Sequence, residues 1–346
     1  MEKRYRIFEP GRVEMDLLAE VAGKFRLGPD SPVSMLPYGQ LPDGTLKIGA
    51  ETRRLYFHFA VDGDCFVPGT ELVKSSEEWK EAPVTRIISF GKCNVSCPYC
   101  KRDCQFLGDD GLPIIAQPVL LAEVVALCEG AVGRGEIVRF SGGDPVTFPT
   151  VTLAISEYLY RRYGVKTSIA HNGSGPAWAR KMAPYLGSAA IDLKGVPEKI
   201  GGIMGIEAVR GELFYKNSLE TQGALSRAGV LTDVRTPVFG DTSVDEMRRL
   251  AQDIYRVNDL RYTFWTWRQY KPVQGCDWSA PTRDGVIEMM KMVSRDIPAL
   301  WLGIRAKWDK GGMIYVKAGE VRQKTADTLA VDVRDFGSGN LIEVAV

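Results

Sequence analysis

Three cysteines lie close together in the segment Cys93-Asn94-Val95-Ser96-Cys97-Pro98-Tyr99-Cys100, with the spacing C-x3-C-x2-C. The segment follows a short apolar stretch that ends at Phe90. Three cysteine thiolates on one tight loop can hold three irons of a [4Fe–4S] cluster, one thiolate to each iron. The fourth iron then has no protein ligand, so an exogenous molecule can chelate it. The spacing therefore predicts a cluster with one open iron.

Two other metal sites compete for these cysteines. A structural zinc site usually presents pairs of C-x2-C or Cys/His sets, whereas this segment has one C-x2-C and no histidine nearby. Cys104 is a possible fourth ligand, which would close the cluster. A ferredoxin site spaces its first two cysteines by two residues and places proline after the last, which this segment does not. The open cluster is favoured, and closed zinc or a closed cluster remain the alternatives.

Composition limits the class of protein. The chain has 346 residues, 45% of them hydrophobic, and a net charge of +1, which gives no electrostatic argument for nucleic acid or a membrane surface as partner. Its longest apolar stretch is broken by Glu123, and its N-terminus lacks the pattern of a signal peptide. Seven cysteines, an odd number, predict a reducing cytoplasm. With only His58 and His171, a multi-histidine metal centre is excluded.

Short β-like runs alternate with amphipathic helical stretches from Thr85 onward. The pattern predicts strands near 86–90, 137–141, 165–170, 189–193, 231–238, 260–268 and 299–306. It predicts helices near 118–130, 149–163, 176–185, 214–228, 243–257 and 284–297. Seven strands joined by six crossover helices indicate an α/β fold with a parallel sheet. In such sheets the functional residues collect at the carboxyl ends of the strands.

Two glycines and an acid, Gly142, Gly143 and Asp144, end the second predicted strand. Glycine permits close approach of a ligand to the backbone, and the adjacent carboxylate can accept a hydrogen bond from an ammonium group. An ordinary glycine turn is the alternative. His171 ends the third strand, either as a ligand contact or as a hydrogen-bonded core histidine.

Asp192 and Lys194 end the fourth predicted strand, and their spacing of two places both on the same side of it. They can face one cavity or form a simple ion pair at its rim. Arg235 lies in the fifth strand, where a buried guanidinium needs an anion or a carbonyl as partner. Alternation in the sixth strand separates Trp265 and Trp267 from Thr266 and Arg268, without deciding which pair faces the cavity.

The cysteine spacing, the aromatic Tyr99 before the last cysteine and the Gly-Gly-acid motif resemble the radical S-adenosylmethionine (SAM) superfamily. The Asp192-Leu193-Lys194 triplet resembles its glycyl-radical-enzyme activase branch, to which the activator of pyruvate formate-lyase belongs. The resemblance implies a partial (β/α)6 barrel, a [4Fe–4S] cluster and SAM as cofactors, and a one-electron donor such as flavodoxin or ferredoxin. It implies reductive cleavage of SAM to methionine and a 5'-deoxyadenosyl radical, which abstracts a hydrogen atom.

The same resemblance assigns roles to residues. Cys93, Cys97 and Cys100 would bind the cluster. SAM would be surrounded by the Tyr99 backbone at its adenine, and by Gly142, Gly143, Asp144, His171, Asp192, Lys194 and Arg235. The acid of the motif, here Asp144, would hold the methionyl amine. In the activase branch an aspartate precedes a T-N-G-like sequence, where this chain has His171, so a bound monovalent cation is doubtful and His171 could itself contact the SAM carboxylate.

Three regions are predicted: an N-terminal extension at 1–83, the core at 84–310 and a C-terminal β extension at 311–346. Strands are also expected within the extensions at 54–59, 313–316 and 329–333. The glycine-rich connection 196–213 is predicted to be a long loop that could close over the substrate. The other cysteines lack cluster spacing, so an auxiliary cluster is not expected.

The sequence predicts a radical SAM enzyme acting on a small-molecule or natural-product substrate, with no nucleic-acid or membrane partner. Installation of a glycyl radical on a partner enzyme is the second interpretation. It is disfavoured because 83 residues precede the core, whereas activases usually begin their cysteine loop much nearer the N-terminus. A non-catalytic zinc or closed iron–sulfur protein is the alternative from another class.

Overall fold

The structure is a computed structural model, which describes residues 5–7, 10–37, 39–40, 42–48, 50–54, 84–100, 116–270, 276–305 and 313–324. The helices in these ranges are α1 (Met15–Gly23), α2 (Leu121–Gly133), α3 (Pro149–Tyr163), α4 (Pro176–Met182), α5 (Pro197–Met204), α6 (Ala208–Arg227), α7 (Val244–Val257) and α8 (Arg283–Asp296). None of the helices described is both long enough and apolar enough to cross a membrane.

The strands fall into two groups. Those before the cysteines are β1 (Tyr5–Ile7), β2 (Pro32–Met35), β3 (Gly39–Gln40), β4 (Leu46–Ile48), β5 (Ala50–Arg54) and β6 (Val84–Phe90). Those after them are β7 (Gln117–Leu120), β8 (Ile137–Gly142), β9 (Thr167–His171), β10 (Leu186–Asp192), β11 (Leu231–Val238), β12 (Thr263–Gln269), β13 (Leu302–Arg305), β14 (Met313–Lys317) and β15 (Glu320–Lys324).

Seven strands, β6 and β8 to β13, lie side by side in chain order, and each pairs in parallel with the next. They are the seven strands that the sequence predicts, so the parallel α/β sheet is confirmed. Helices α2, α3, α4, α7 and α8 each lie in one connection, while α5 and α6 share the connection between β10 and β11. Parallel pairing requires such crossovers, because the chain must return to the starting edge after every strand. Curvature of this sheet into a partial barrel stays a prediction.

Antiparallel strands extend both edges of the parallel run. On the β6 side, β5 and β2 pair with β6, and β7 pairs with β2. On the β13 side, β14 pairs with β13 and β15 with β14, so the strand predicted at 313–316 is present. A separate small sheet has the order β1-β4-β3. Residues 55–59 and 329–333, also predicted as strands, lie outside the described residues, and the boundaries at 83 and 310 stay predictions.

The two faces of the sheet differ in polarity. Trp265 and Trp267 are fully buried in an apolar cluster with Met247 and Leu250 of α7 and with Met290 of α8. They therefore belong to the face that carries the helices. Because side chains alternate along a strand, the residues between and beside them lie on the opposite face. The structure thus shows that the two tryptophans of β12 face the helices, which the sequence left undecided.

The connection after β10 is helical, so the prediction of a long loop at 196–213 is wrong. Helix α5 begins with Pro197, at a position where the missing N–H of proline breaks no helical hydrogen bond. Gly205 follows its last residue, and the φ of 65° at Gly205 is a left-handed conformation that terminates the helix. A Cβ on Gly211 would lie 2.6 Å from the backbone nitrogen of Gly201. The glycines that suggested a flexible loop instead allow α5 and α6 to pack closely.

Candidate functional site

The cysteine loop, residues 91–100, leaves the carboxyl end of β6 and is held there by the end of β8. The Gly143 N–H donates to the Phe90 carbonyl at 2.7 Å, and the Asp144 N–H donates to the Lys92 carbonyl at 2.6 Å. A Cβ on Gly143 would lie only 2.0 Å from that Lys92 oxygen. Glycine at 143 is therefore required for the backbone to approach the loop so closely.

Helix α5 supports the middle of the same loop. A Cβ on Gly205, just after α5, would lie 2.3 Å from the carbonyl oxygen of Ser96. Val95 and Cys97 are partly buried against the apolar cluster to which Met204 belongs. Sequence analysis did not select Gly205, although a glycine that ends a helix with positive φ is a recognisable signal. The loop thus rests on β8 at its start and on α5 at its centre.

The three thiols are free, with Cys93 exposed and Cys97 and Cys100 half-buried. Although part of the Cys93 residue is exposed, partial desolvation of its thiol raises the pKa of Cys93 to about 11, and repulsion from Asp144, Cys97 and Cys100 acts in the same direction. Burial likewise raises the pKa of Cys97. The three sulfur atoms are therefore near enough to influence one another's ionisation.

This donor set fits a [4Fe–4S] cluster. Among the described ranges, no three His, Cys, Asp or Glu side chains lie close enough to bind a single metal ion. A cluster places each thiolate on a different iron, so its sulfur ligands can stand further apart than the ligands of one ion. Metal ligation requires thiolates, so binding would displace protons from thiols whose pKa is raised. Cys104, the alternative fourth ligand, lies outside the described residues.

Lys194 connects the cysteine loop with the end of β10. Its ammonium group lies 2.8 Å from Asp192 Oδ2 and donates to the Tyr99 hydroxyl at 3.2 Å. Burial by itself lowers the pKa of Lys194, but Asp192, Tyr99 and Cys97 together outweigh burial, and the pKa is raised well above its ordinary value. The same ammonium opposes the effect of burial on the pKa of Cys97. Three predicted site residues, Tyr99, Asp192 and Lys194, therefore meet beside Cys97.

Asp144 and His171 lie inside the protein, with side chains 3% and 0% exposed. Asp144 Oδ1 accepts from the Val146 N–H at 2.9 Å and lies 2.7 Å from His171 Nδ1, while Oδ2 accepts from the Asn172 N–H at 2.7 Å. His171 Nε2 accepts from the Gly175 N–H at 3.1 Å, which places the proton of a neutral ring on Nδ1. Both side chains are thus bonded to the protein, and their contact with SAM stays a prediction.

Three neighbouring strands, β10, β11 and β12, place Asp192, Arg235 and Thr266 side by side in the sheet. Asp192 is in register with Arg235, and Arg235 with Thr266. All three lie on the face opposite the helices, because Trp265 and Trp267 flank Thr266 on the helix side. Arg235 Nε donates to Asp233 Oδ2 at 2.5 Å.

Thr266 was missed as a site residue by sequence analysis. It is 3% exposed, and its hydroxyl has no hydrogen-bond partner in the part of the chain that the structure describes. Buried hydroxyls are normally satisfied, so this one is a candidate to bond to a group outside the described residues, a bound ligand included. In the sequence, the one indication for Thr266 was its position between two tryptophans, which places it on the opposite face of the strand. Alternation alone did not say which of the two faces is polar.

A cavity of about 440 Å³ opens beside Lys194, between α5, the carboxyl end of β11 and α7. Its apolar wall includes Ile203, Phe239, Met247, Leu250 and Trp278. Phe239 and Trp278 also pack against the Tyr99 ring, with centroid distances of 5.6 and 5.7 Å. Charged side chains also line the cavity: Lys194, Glu198, Lys199, Asp241 and Glu246. Among them, Lys199 pairs with Glu246 at 2.6 Å and with Asp241 at 3.3 Å. The cavity therefore combines an apolar wall with a charged rim, and through the Tyr99 ring it adjoins the cysteine loop.

Comparisons with known proteins identify the central part of the chain. Residues 87–254 match the model of the Radical SAM superfamily. No curated protein matches the chain.

Two solved structures show only distant likeness. A radical SAM methyltransferase from Sphaerobacter thermophilus is 16% identical over 85% of this chain and 82% of its own, with a TM-score of 0.44. A structure described as a sporulation-specific glycosylase from Bacillus subtilis is 11% identical over 67% of this chain and 80% of its own, with a TM-score of 0.26. TM-scores this low carry no argument about activity.

The family match covers the cysteine loop and the carboxyl ends of β8 to β11. Members of this superfamily bind a [4Fe–4S] cluster and SAM, which agrees with the three free thiols on the loop. The match argues against a non-catalytic zinc protein, whereas the activase branch and a cytoplasmic location stay predictions. Residues 87–254 form a radical SAM domain, and the chain is an enzyme whose cofactors are a [4Fe–4S] cluster and SAM.

Proposed function

We propose that the enzyme abstracts a hydrogen atom from a small molecule held at the carboxyl ends of the parallel strands. The observation that carries the proposal is the position of the cysteine loop, which follows the first parallel strand and meets Lys194 and Asp192 at the end of β10. The bound cluster and SAM together supply one-electron reductive cleavage of SAM to methionine and a 5'-deoxyadenosyl radical.

The side chains have distinct roles in this proposal. Cys93, Cys97 and Cys100 ligate three irons. Lys194 keeps its charge at every ordinary pH, because Asp192 raises its pKa, and so it offers a fixed cation to an anionic group of SAM. SAM is further held by the Tyr99 backbone and by Gly142, Gly143, Asp192 and Arg235. Asp144 and His171 are the weakest candidates, since protein groups already bond to them.

The cavity beside Lys194 lies on the helix side of the strand ends, next to the cysteine loop, and it is the proposed location of the substrate body. Its volume of about 440 Å³ suits a metabolite-sized molecule, and its apolar wall can pack against an apolar part of that molecule. The apolar wall favours an uncharged portion of the substrate, while the charged rim faces its polar groups. A donor such as flavodoxin or ferredoxin would supply the electron.

The function is tested by anaerobic reconstitution with iron and sulfide, followed by reduction with dithionite and addition of SAM. We expect SAM to change the EPR spectrum of the reduced cluster, because it binds the open iron, and we expect 5'-deoxyadenosine to form. The product is quantified by chromatography. A reducible cluster whose spectrum does not respond to saturating SAM, together with no 5'-deoxyadenosine, would contradict the proposal.

Replacement of Thr266 by valine is expected to weaken SAM binding while leaving the stability of the fold unchanged. The hydroxyl has no partner within the described residues, so its loss breaks no hydrogen bond there. One lost hydrogen bond to a ligand corresponds to a roughly five- to tenfold higher Kd. Calorimetric titration with SAM and thermal unfolding measure the two quantities.

Thr232 provides the matched control, because its buried hydroxyl donates to the Val230 carbonyl at 2.9 Å. Thr232→Val should lose about 1 kcal/mol of stability and bind SAM normally. Equal SAM affinity of Thr266→Val and wild type would remove Thr266 from the SAM site.

A further inference from the structure

We infer that Asn94 and Asn172 form a clamp that positions Cys93 for cluster binding, and that Asp144 and His171 hold this clamp in place. The inference rests on the proposed function, since it concerns the site of the cluster. It gives the acid of the Gly-Gly-Asp motif a positioning role in place of the predicted direct contact with SAM.

The clamp joins the cysteine loop to the end of β9. Asn172 Oδ1 accepts from the Ser174 N–H at 3.1 Å, which fixes the orientation of the amide and turns its Nδ2 toward the loop. That Nδ2 donates to Asn94 Oδ1 at 2.6 Å. Asn94 Nδ2 in turn donates to Ser174 Oγ at 2.9 Å. The oxygen and the nitrogen of each side-chain amide therefore both form hydrogen bonds. These bonds connect Asn94, the residue next to Cys93, with a segment 78 positions away in the chain.

Asp144 holds both halves of this arrangement. Its Oδ2 accepts from the Asn172 N–H at 2.7 Å, while its own N–H donates to the carbonyl of Lys92, the residue before Cys93. Its Oδ1 lies 2.7 Å from Nδ1 of His171, whose other nitrogen accepts from the Gly175 N–H. Asp144 thus connects the cysteine loop, through its backbone N–H, with the first residues after β9, through its buried carboxylate.

This connection has a chemical consequence for the cluster. Cys93 is exposed and Asn94 lies on the surface, so little packing holds that end of the loop. Residues that orient metal ligands are typically worth 10- to 100-fold in metal affinity without touching the metal. The clamp adds side-chain bonds on the far side of Cys93 to the backbone bonds that β8 makes before it, and together they limit how far Cys93 can move from the other two thiols.

The test compares Asn94→Ala, Asn172→Ala and the double variant as reconstituted holoproteins. Each is mixed anaerobically with an excess of an iron chelator, and loss of the cluster's visible absorbance is followed. We expect each single variant to lose the cluster on the order of ten times faster than wild type. The double variant should lose it no more than about twofold faster than either single one, because both changes break the same hydrogen bond.

Asn217→Ala is the matched control. Asn217 Nδ2 donates to the carbonyl of Ser174 at 3.3 Å, so it supports the same segment without reaching the cysteine loop. It should lose the cluster at the wild-type rate. The midpoint potential is measured in parallel and should shift in the two single variants and in the double variant but not in Asn217→Ala, since a variant that is merely less stable leaves intact clusters at the wild-type potential.

The outcomes separate the inference from the proposed function. If wild-type protein binds no cluster, the proposed function fails. If wild type holds the cluster and Asn94→Ala loses it at the wild-type rate, the clamp is refuted while the function stands. Loss from Asn172→Ala alone would also overturn the inference, because Asn94→Ala leaves the bond between Asn172 and Ser174 intact.

Discussion

Alanine at Cys93, Cys97 or Cys100 is expected to abolish both cluster binding and 5'-deoxyadenosine formation. Each replacement removes the protein ligand of one iron, and no other described Cys, His, Asp or Glu group completes a three-ligand metal site. Iron retention should fall by on the order of a hundredfold or more. Iron and sulfide per chain, the visible spectrum and the product assay are measured on anaerobically reconstituted protein.

Cys128 and Cys276 are the controls for this series. Both are buried free thiols, and Cys128 lies in α2, on the helix side of the sheet. Cys128→Ala should cost about 1 kcal/mol of stability through the small cavity it creates, with the cluster retained. Cys104→Ser separates an open from a closed cluster. If that variant loses its cluster, the open-iron assignment is wrong.

Alanine at Gly143 is expected to cost about 3 kcal/mol of stability and to prevent cluster assembly. The added Cβ would lie 2.0 Å from the Lys92 carbonyl oxygen and 2.7 Å from the Cys93 nitrogen, so the obstruction is backbone and not a side chain that can rotate. Relief of the clash must displace Cys93. Denaturant unfolding and iron content measure the two effects.

Gly202→Ala is the matched control for Gly143→Ala. Gly202 lies in α5, and an added Cβ there would meet nothing within 4 Å. That variant should gain about 0.5–1 kcal/mol, because alanine loses less conformational freedom in a helix than glycine. Normal stability and normal iron content in Gly143→Ala would show that β8 and the cysteine loop do not touch as described.

Much of the fold was predictable because it depends on local periodicity. The seven parallel strands and the helices between them follow from the spacing of apolar residues, which fixes which side of each element can be buried. The connection after β10 was not predictable, because Gly201 and Gly211 suggest flexibility when taken one at a time. Only their mutual contact explains why two helices form there.

The candidate site divides in the same way. The set of three thiols is a property of eight consecutive residues, so the sequence by itself determined the metal chemistry and the cofactors. Lys194 and Asp192 could also be predicted from the sequence, because residues two apart on a strand lie on the same side. Thr266 could not be predicted, because alternation separates the two faces of a strand without saying which face packs against the helices.

The tertiary structure alone decided which polar residues remain available to a ligand. Asp144 and His171 have the residue types of SAM contacts, yet their side chains bond to each other and to backbone N–H groups in the segments that follow β8 and β9. Asn94 and Asn172, which were not among the predicted site residues, join across 78 positions of chain. Sequence spacing defines which atoms a segment offers, whereas burial and long-range hydrogen bonds determine which of those atoms are already occupied.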